Sequence, residues 1–290
     1  MIAQAIILGI VQGITEMLPV SSSGHLYLLS HFFFDWNISE SFDIALHFGT
    51  LIAICIYFFK DWINLFKGGF KLAFKHEDTQ DGKLFWYLVI ATIPVGILGL
   101  FFEDFLDAKL THPLVIGGAF IIMGMLLYYI DKISKSEINL EKLNFGRAFA
   151  IGISQILAFV PGVSRSGVTI TTGRLLKVDR ESAAKYSFLL STPVVFAATI
   201  LKLKEFEFSI AFFAGVITSF IVGLLVIKAL MNYLKKGSFK GFAIYRVALG
   251  LIVYATFFIR FFIWQFRLLL KLLIFRREKI NGTYWRKSSI

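Results

Sequence analysis

Ser21-Ser22-Ser23-Gly24-His25 and Ser164-Arg165-Ser166-Gly167 are the two places where this chain concentrates groups able to handle an anion. In the first, three hydroxyls and an imidazole follow Pro19. Ser22 and His25 are three residues apart, so a helix places them on one face. An imidazole changes charge near neutral pH, which makes His25 a candidate nucleophile, general base or general acid. In the second, Arg165 stands between two serines, with Pro161-Gly162 before it, Gly167 after it and Thr169 one turn on. A guanidinium offers a planar fork suited to bidentate phosphate binding. Hydroxyls and the free N–H groups of a helix start cradle the same ligand, and the glycines are expected to admit backbone N–H groups close to it.

Glu16 is the one acid of nineteen that lies well inside an interrupted apolar stretch. A buried carboxylate without a partner is costly, so it is a functional candidate. Gln12 lies one turn earlier on the same face, and the two together offer a carboxylate and an amide to a cation or a catalytic partner. Arg165, also within an apolar stretch, needs an anion beside it, either a substrate or Glu16. Pooled, these groups make a diphosphate site with room for a divalent cation. Mg²⁺ or Ca²⁺, as hard ions, would use carboxylate and phosphate oxygens, with Glu16 and Gln12 as the candidate ligands. Phosphoryl transfer asks mainly for positioning and charge neutralisation, which such a site supplies. The other histidines, His31, His47, His76 and His112, have no comparable company in the sequence and read as structural.

The elements that must carry these residues belong to a membrane. Of 290 residues 57% are hydrophobic and only 17% charged, where a soluble domain holds about a quarter charged. Six apolar stretches, near 42–59, 84–102, 113–130, 186–201, 208–230 and 242–263, are about long enough to cross a hydrocarbon core of about 30 Å. Two more, near 2–18 and 148–160, are too short and stop at proline. The net charge of +11 does not imply nucleic acid, because eight Lys/Arg against one acid, Glu278, fall between Arg260 and Ile290. A basic tail beside a span suits anionic lipid headgroups. The single cysteine, Cys55, sits in an apolar run and permits no intrachain disulfide. No basic region or small-residue cleavage site marks a removable signal peptide at the start.

The chain also repeats itself. Gly9-Ile10-Val11-Gln12 followed by Pro19 and the serine turn matches Gly152-Ile153-Ser154-Gln155 followed by Pro161 and the Ser-Arg turn. This predicts a first repeat over 1–130, a polar linker at 131–147, a second repeat over 148–263 and a basic tail at 264–290. Each repeat would open with a re-entrant hairpin, about 2–34 and 148–176, and continue with three spans. An odd number of spans per half makes the halves inverted, an architecture whose broken helices meet at a mid-membrane site. The Lys/Arg-rich segments near 60–83, 131–147 and 231–241 are expected as cytoplasmic loops. The tail then falls outside, so either the last span is not a simple crossing or the tail lies on the outer leaflet.

At these residues the chain resembles the undecaprenyl-diphosphate phosphatase family, also called the bacitracin-resistance protein family. The first motif stands as Gln12-Gly13-Ile14-Thr15-Glu16 with Pro19 through His25. The second is Pro161 through Thr169, and Ser187 through Pro193 is also similar. The likeness covers about 1–258. It implies an all-α polytopic membrane protein that hydrolyses undecaprenyl diphosphate to undecaprenyl phosphate with a divalent cation. The site would lie on the outer face of the bacterial cytoplasmic membrane. Substrate contacts are implied for Ser21, Ser23, Gly24, Gln155, Gly162, Ser164, Ser166, Gly167 and Thr169. Catalytic roles are implied for Glu16, Ser22, His25 and Arg165, and a homodimer is left open. Many members carry Glu where this chain has Gln12, so this chain departs from a two-carboxylate metal site there. The tail is extra to the family pattern. A transporter or flippase for polyprenyl phosphates suits the same inverted architecture. A type 2 phosphatidic acid phosphatase does not, because no histidine follows His112.

Overall fold

Apolar runs with few charges have no route to satisfy their backbone in lipid except helix, and helix is what forms. The computed structural model describes residues 2–34, 36 and 39–280, the side chains of 102–109 and 274–280 excepted. Its helices are α1 (Ile2–Met17), α2 (Ser22–Tyr27, continued by a π-helical turn Leu28–Phe33), α3 (Glu40–Tyr57), α4 (Phe59–Lys75), α5 (Gln80–Leu110), α6 (Pro113–Ile133), α7 (Phe145–Ser154, continued by a 3₁₀ turn Gln155–Phe159), α8 (Arg165–Leu175), α9 (Arg180–Lys202), α10 (Ile210–Leu234) and α11 (Lys240–Ile280). Six of them, α3, α5, α6, α9, α10 and α11, are long and apolar enough to cross a membrane. They match the six expected stretches, of which 42–59 overruns the end of α3 and 208–230 starts before α10. α1 and α7 are the two short apolar helices.

Two expectations change. Residues 60–83, expected as a basic loop, are mostly the amphipathic helix α4. Its Phe66, Phe70 and Phe74 face outward, and Leu65, Gly68 and Gly69 face inward onto α5. The lysines drew the reading toward a loop, although the apolar residues recur at helical spacing. The last span does not stop near 263, because α11 runs to Ile280. The charge expected of the tail falls partly outside the described residues, since nothing is described of 281–290 or of the side chains of 274–280.

Small residues set the packing. A Cβ on Gly9 would lie 2.6 Å from the Gly215 carbonyl, and one on Gly13 would lie 2.9 Å from the Gly223 nitrogen. α1 and α10 therefore touch backbone to backbone, through small residues four apart. The contacts also exchange in a regular way: α1 packs on α10 and α7 on α5, α3 packs on α10 and α9 on α5, while α3 meets α9 and α6 meets α11. At one end a buried ion cluster ties the connections. Asp131, closing α6, accepts from Arg174 Nε at 2.9 Å, Arg180 Nε at 2.8 Å and the Phe239 N–H at 3.2 Å. Both carboxylate oxygens are occupied, which makes the pairing tolerable away from water.

Candidate active site

Each broken pair is interrupted at the same kind of joint. Ser21 and Ser164 both adopt φ 74°, a backbone conformation uncommon for a residue with a side chain. Each caps the helix it precedes: Ser21 Oγ accepts from the Gly24 N–H at 3.4 Å, and Ser164 Oγ from the Gly167 N–H at 3.0 Å. Strain of this kind gathers where a fold over-determines a functional turn. The next residue, Ser22 in one turn and Arg165 in the other, is thereby aimed off the start of α2 or α8.

The two turns meet at Glu16. Its Oε2 accepts from Ser22 Oγ at 2.5 Å, and its Oε1 is ion-paired to Arg165 Nη2. Arg165 also donates to the Ser191 carbonyl of α9 at 3.4 Å. Gln12 Nε2 reaches Glu16 Oε2 at 3.4 Å, as the shared helix face predicts. These groups sit against a cavity of about 420 Å³. Ser21, Ser22, Ser23, Ser164, Arg165 and Ser166 line its polar side together with Glu16 and Gln155. Val95, Gly96, Leu100, Phe159, Ala198 and Leu201 line its apolar side. A charged floor beside an apolar wall suits an amphiphile with an anionic head.

Other predicted contacts lie off the cavity wall. Thr169 turns its hydroxyl to the Arg165 carbonyl at 2.8 Å and to Ser187 Oγ at 2.7 Å, supporting the turn from behind. The Gly24 and Gly167 N–H groups are taken by the capping serines, so neither is free for an anion. A Cβ on Gly24 would meet Phe120 at 2.9 Å, and one on Gly167 would meet Arg246 Nη1 at 2.7 Å. Gly162, at φ 92°, likewise has the Ile116 carbonyl 2.8 Å from where its Cβ would stand. These three glycines make room for neighbouring helices. His25 has both nitrogens engaged: Nδ1 donates to the Ser21 carbonyl at 2.7 Å, so Nε2 of the neutral ring accepts the Tyr245 hydroxyl proton at 2.7 Å.

The reading of His47 as structural needs correction. Its Nδ1 lies 2.9 Å from Gln12 Nε2 and 3.3 Å from Glu16 Oε2, and it lines the cavity. Its company comes from α1, far away in sequence. Tyr245 and Arg246 were also missed, because both lie in an apolar span with no local motif. The one available signal was an Arg placed within the first turns of apolar α11.

Among the described residues no three His, Cys, Asp or Glu side chains cluster as metal ligands. Two amide oxygens are nevertheless orphaned: Gln12 Oε1 beside Glu16, and Gln155 Oε1 in the second pair, are buried with no partner. A carboxylate with an unpaired amide oxygen beside it fits a Mg²⁺ or Ca²⁺ ion that takes its remaining ligands from water and phosphate.

Comparison with known proteins shows relatedness along most of the chain. The family model of the bacitracin resistance protein BacA matches residues 5–252. An undecaprenyl-diphosphatase of Moorella thermoacetica is 44% identical over 263 residues, covering 89% of this chain and 99% of that protein. One of Desulforudis audaxviator is 46% identical over 253 residues, covering 86% and 95%. A third, of Gemmatimonas aurantiaca, is 43% identical over 258 residues, covering 87% and 97%. Identity at this level over this length, with both motif turns inside the matched span, makes the chain a member of the bacitracin resistance protein BacA family.

Proposed function

We propose that this chain is an undecaprenyl-diphosphatase, hydrolysing undecaprenyl diphosphate to undecaprenyl phosphate and inorganic phosphate in a bacterial membrane. The observation that carries the reading is the meeting of Ser22 and Arg165, from two separate turns, on the two oxygens of Glu16. A nucleophile with its base, and a cation for the phosphates, then share one wall of a cavity whose other wall is apolar. The relatives carry that activity in their names.

In this mechanism the diphosphate draws Arg165 from Glu16 onto its own oxygens, a bidentate exchange of one anion for another. Ser22 Oγ attacks the terminal phosphorus while its proton passes to Glu16 Oε2. The bond from phosphorus to the bridging oxygen breaks, and its electron pair leaves with the lipid phosphate. Water then attacks the phosphorus of the phosphoserine, the bond from phosphorus to Ser22 Oγ breaks, Oγ regains the proton from Glu16, and phosphate departs carrying the protons of the water. His25, with both nitrogens engaged, holds the Ser21 carbonyl and so the turn. A bound divalent cation would supply charge neutralisation on the phosphates. Glu16, through the oxygen now paired to Arg165, and Gln12 Oε1 would hold it.

The domain plan belongs to the same proposal. The nearly constant separation of the matched motifs and the exchange of helix contacts support two inverted repeats with re-entrant hairpins. The Lys/Arg distribution supports a site reached from the outer face. The test is phosphate release from a C55 diphosphate by purified protein in detergent. Release that stops with EDTA and returns with Mg²⁺ or Ca²⁺ supports the reading with its cation. Release indifferent to EDTA removes the cation. No release in detergent, where there is no second compartment, favours lipid transport instead.

A further inference from the structure

Arg246 of α11 is 0% exposed, and among the described residues no carboxylate lies within ion-pair distance of it. A guanidinium is costly to bury without an anion, so its partners must explain it. They are main-chain carbonyls. Nη1 donates to Pro19 at 3.0 Å, and Nη2 donates to Gly162 at 2.8 Å, Val163 at 2.9 Å and Ala119 at 3.4 Å. The Phe120 ring lies 5.8 Å from its Cζ. Pro19 belongs to the first turn, and Gly162 and Val163 to the second. Breaking a helix leaves carbonyls without the N–H groups that would otherwise bond them, and one side chain from a third element serves both breaks. Pro19 is three residues before Ser22, and Val163 is two before Arg165.

We propose that Arg246 is a positioning residue for phosphoryl transfer: its two guanidinium arms hold the serine turn and the arginine turn in register, so that Ser22 and Arg165 reach the same phosphate. The inference rests on the undecaprenyl-diphosphatase reading. Gly167 takes part, because only a residue without a Cβ leaves room for Nη1. Lysine cannot substitute fully, since one ammonium lacks the two-armed fork that spans both turns.

The experiment compares wild type, Arg246→Lys, Gly167→Ala and the double variant as purified, monodisperse proteins, measuring kcat and KM for a C55 diphosphate. Arg246→Lys should lower kcat about 100-fold, as a misplacement of roughly 1 Å does, with KM within about threefold. Gly167→Ala, which leaves the arginine in the chain but pushes its Nη1 aside, should give a similar loss. The double variant should be no worse than the poorer single one, because both changes break the same tie. Wild-type kcat in folded Arg246→Lys would overturn the proposal, and so would losses that multiply in the double variant. If Arg246→Lys does not fold, Gly167→Ala alone decides: unchanged kcat overturns the tie, and a kcat loss at constant KM supports it. Absence of phosphate release from wild type would instead sink the underlying reading.

Discussion

The two broken-helix turns use one backbone device to present opposite chemistry. Ser21 and Ser164 share φ 74°, and each caps the N–H of the glycine three residues on. At the following position the first turn carries the hydroxyl of Ser22 and the second the guanidinium of Arg165. Six residues earlier the contrast repeats: the first pair has Glu16 where the second has the aromatic Phe159. In the proposed mechanism the first turn supplies nucleophile and base, and the second supplies the guanidinium for the phosphates. Two turns with the same backbone thus differ in a few side chains, and both reach Glu16.

That comparison can be broken at four levels, in falling order of effect. Ser22→Ala should reduce turnover at least about 10,000-fold, as loss of a nucleophile does, while Ser166→Ala stays within about tenfold. Equal losses at the two serines would remove the asymmetry. Arg165→Ala should lower kcat/KM about 1000-fold, the scale of a phosphate-neutralising arginine, and near-normal release would dissolve the second turn's role. Tyr245→Phe removes one hydrogen bond to His25 and should cost about 1 kcal/mol of transition-state stabilisation, roughly fivefold in kcat. A loss like that of Ser22→Ala would instead make His25 a participant in bond making. Ser21→Ala and Ser164→Ala should each cost about 1 kcal/mol of stability through the lost cap. Thermal unfolding in detergent that separates the two variants by several degrees would show that the caps are not equivalent.

The Asp131 cluster sharpens the same point from elsewhere in the molecule. Asp131 has both oxygens saturated by Arg174, Arg180 and a backbone N–H, and neither it nor Arg174 lines the cavity. Glu16 has a comparable set of donors, yet it sits on the cavity wall beside a hydroxyl. The two ion pairs differ in access: that of Glu16 and Arg165 faces the cavity, and that of Asp131 and Arg174 does not.

Several features were legible in the chain alone, because each is local. The long apolar runs had to become helices, and Pro19 and Pro161 had to end the short ones. Ser22, Arg165 and Glu16 were marked by polar type inside apolar surroundings. Helix α4 was legible too, through phenylalanines at helical spacing, but its lysines masked it. What only the tertiary structure decided is what those groups touch. His47 becomes a neighbour of Glu16 because α3 packs beside α1. His25 loses its free nitrogens because α11 brings up Tyr245. Gly24 and Gly167 prove to be spaces for Phe120 and Arg246 rather than a phosphate cradle. Periodicity and residue type set which face a side chain takes along its own helix. Which other helix lies against that face depends on contacts between residues far apart in the chain, and no local pattern encodes them.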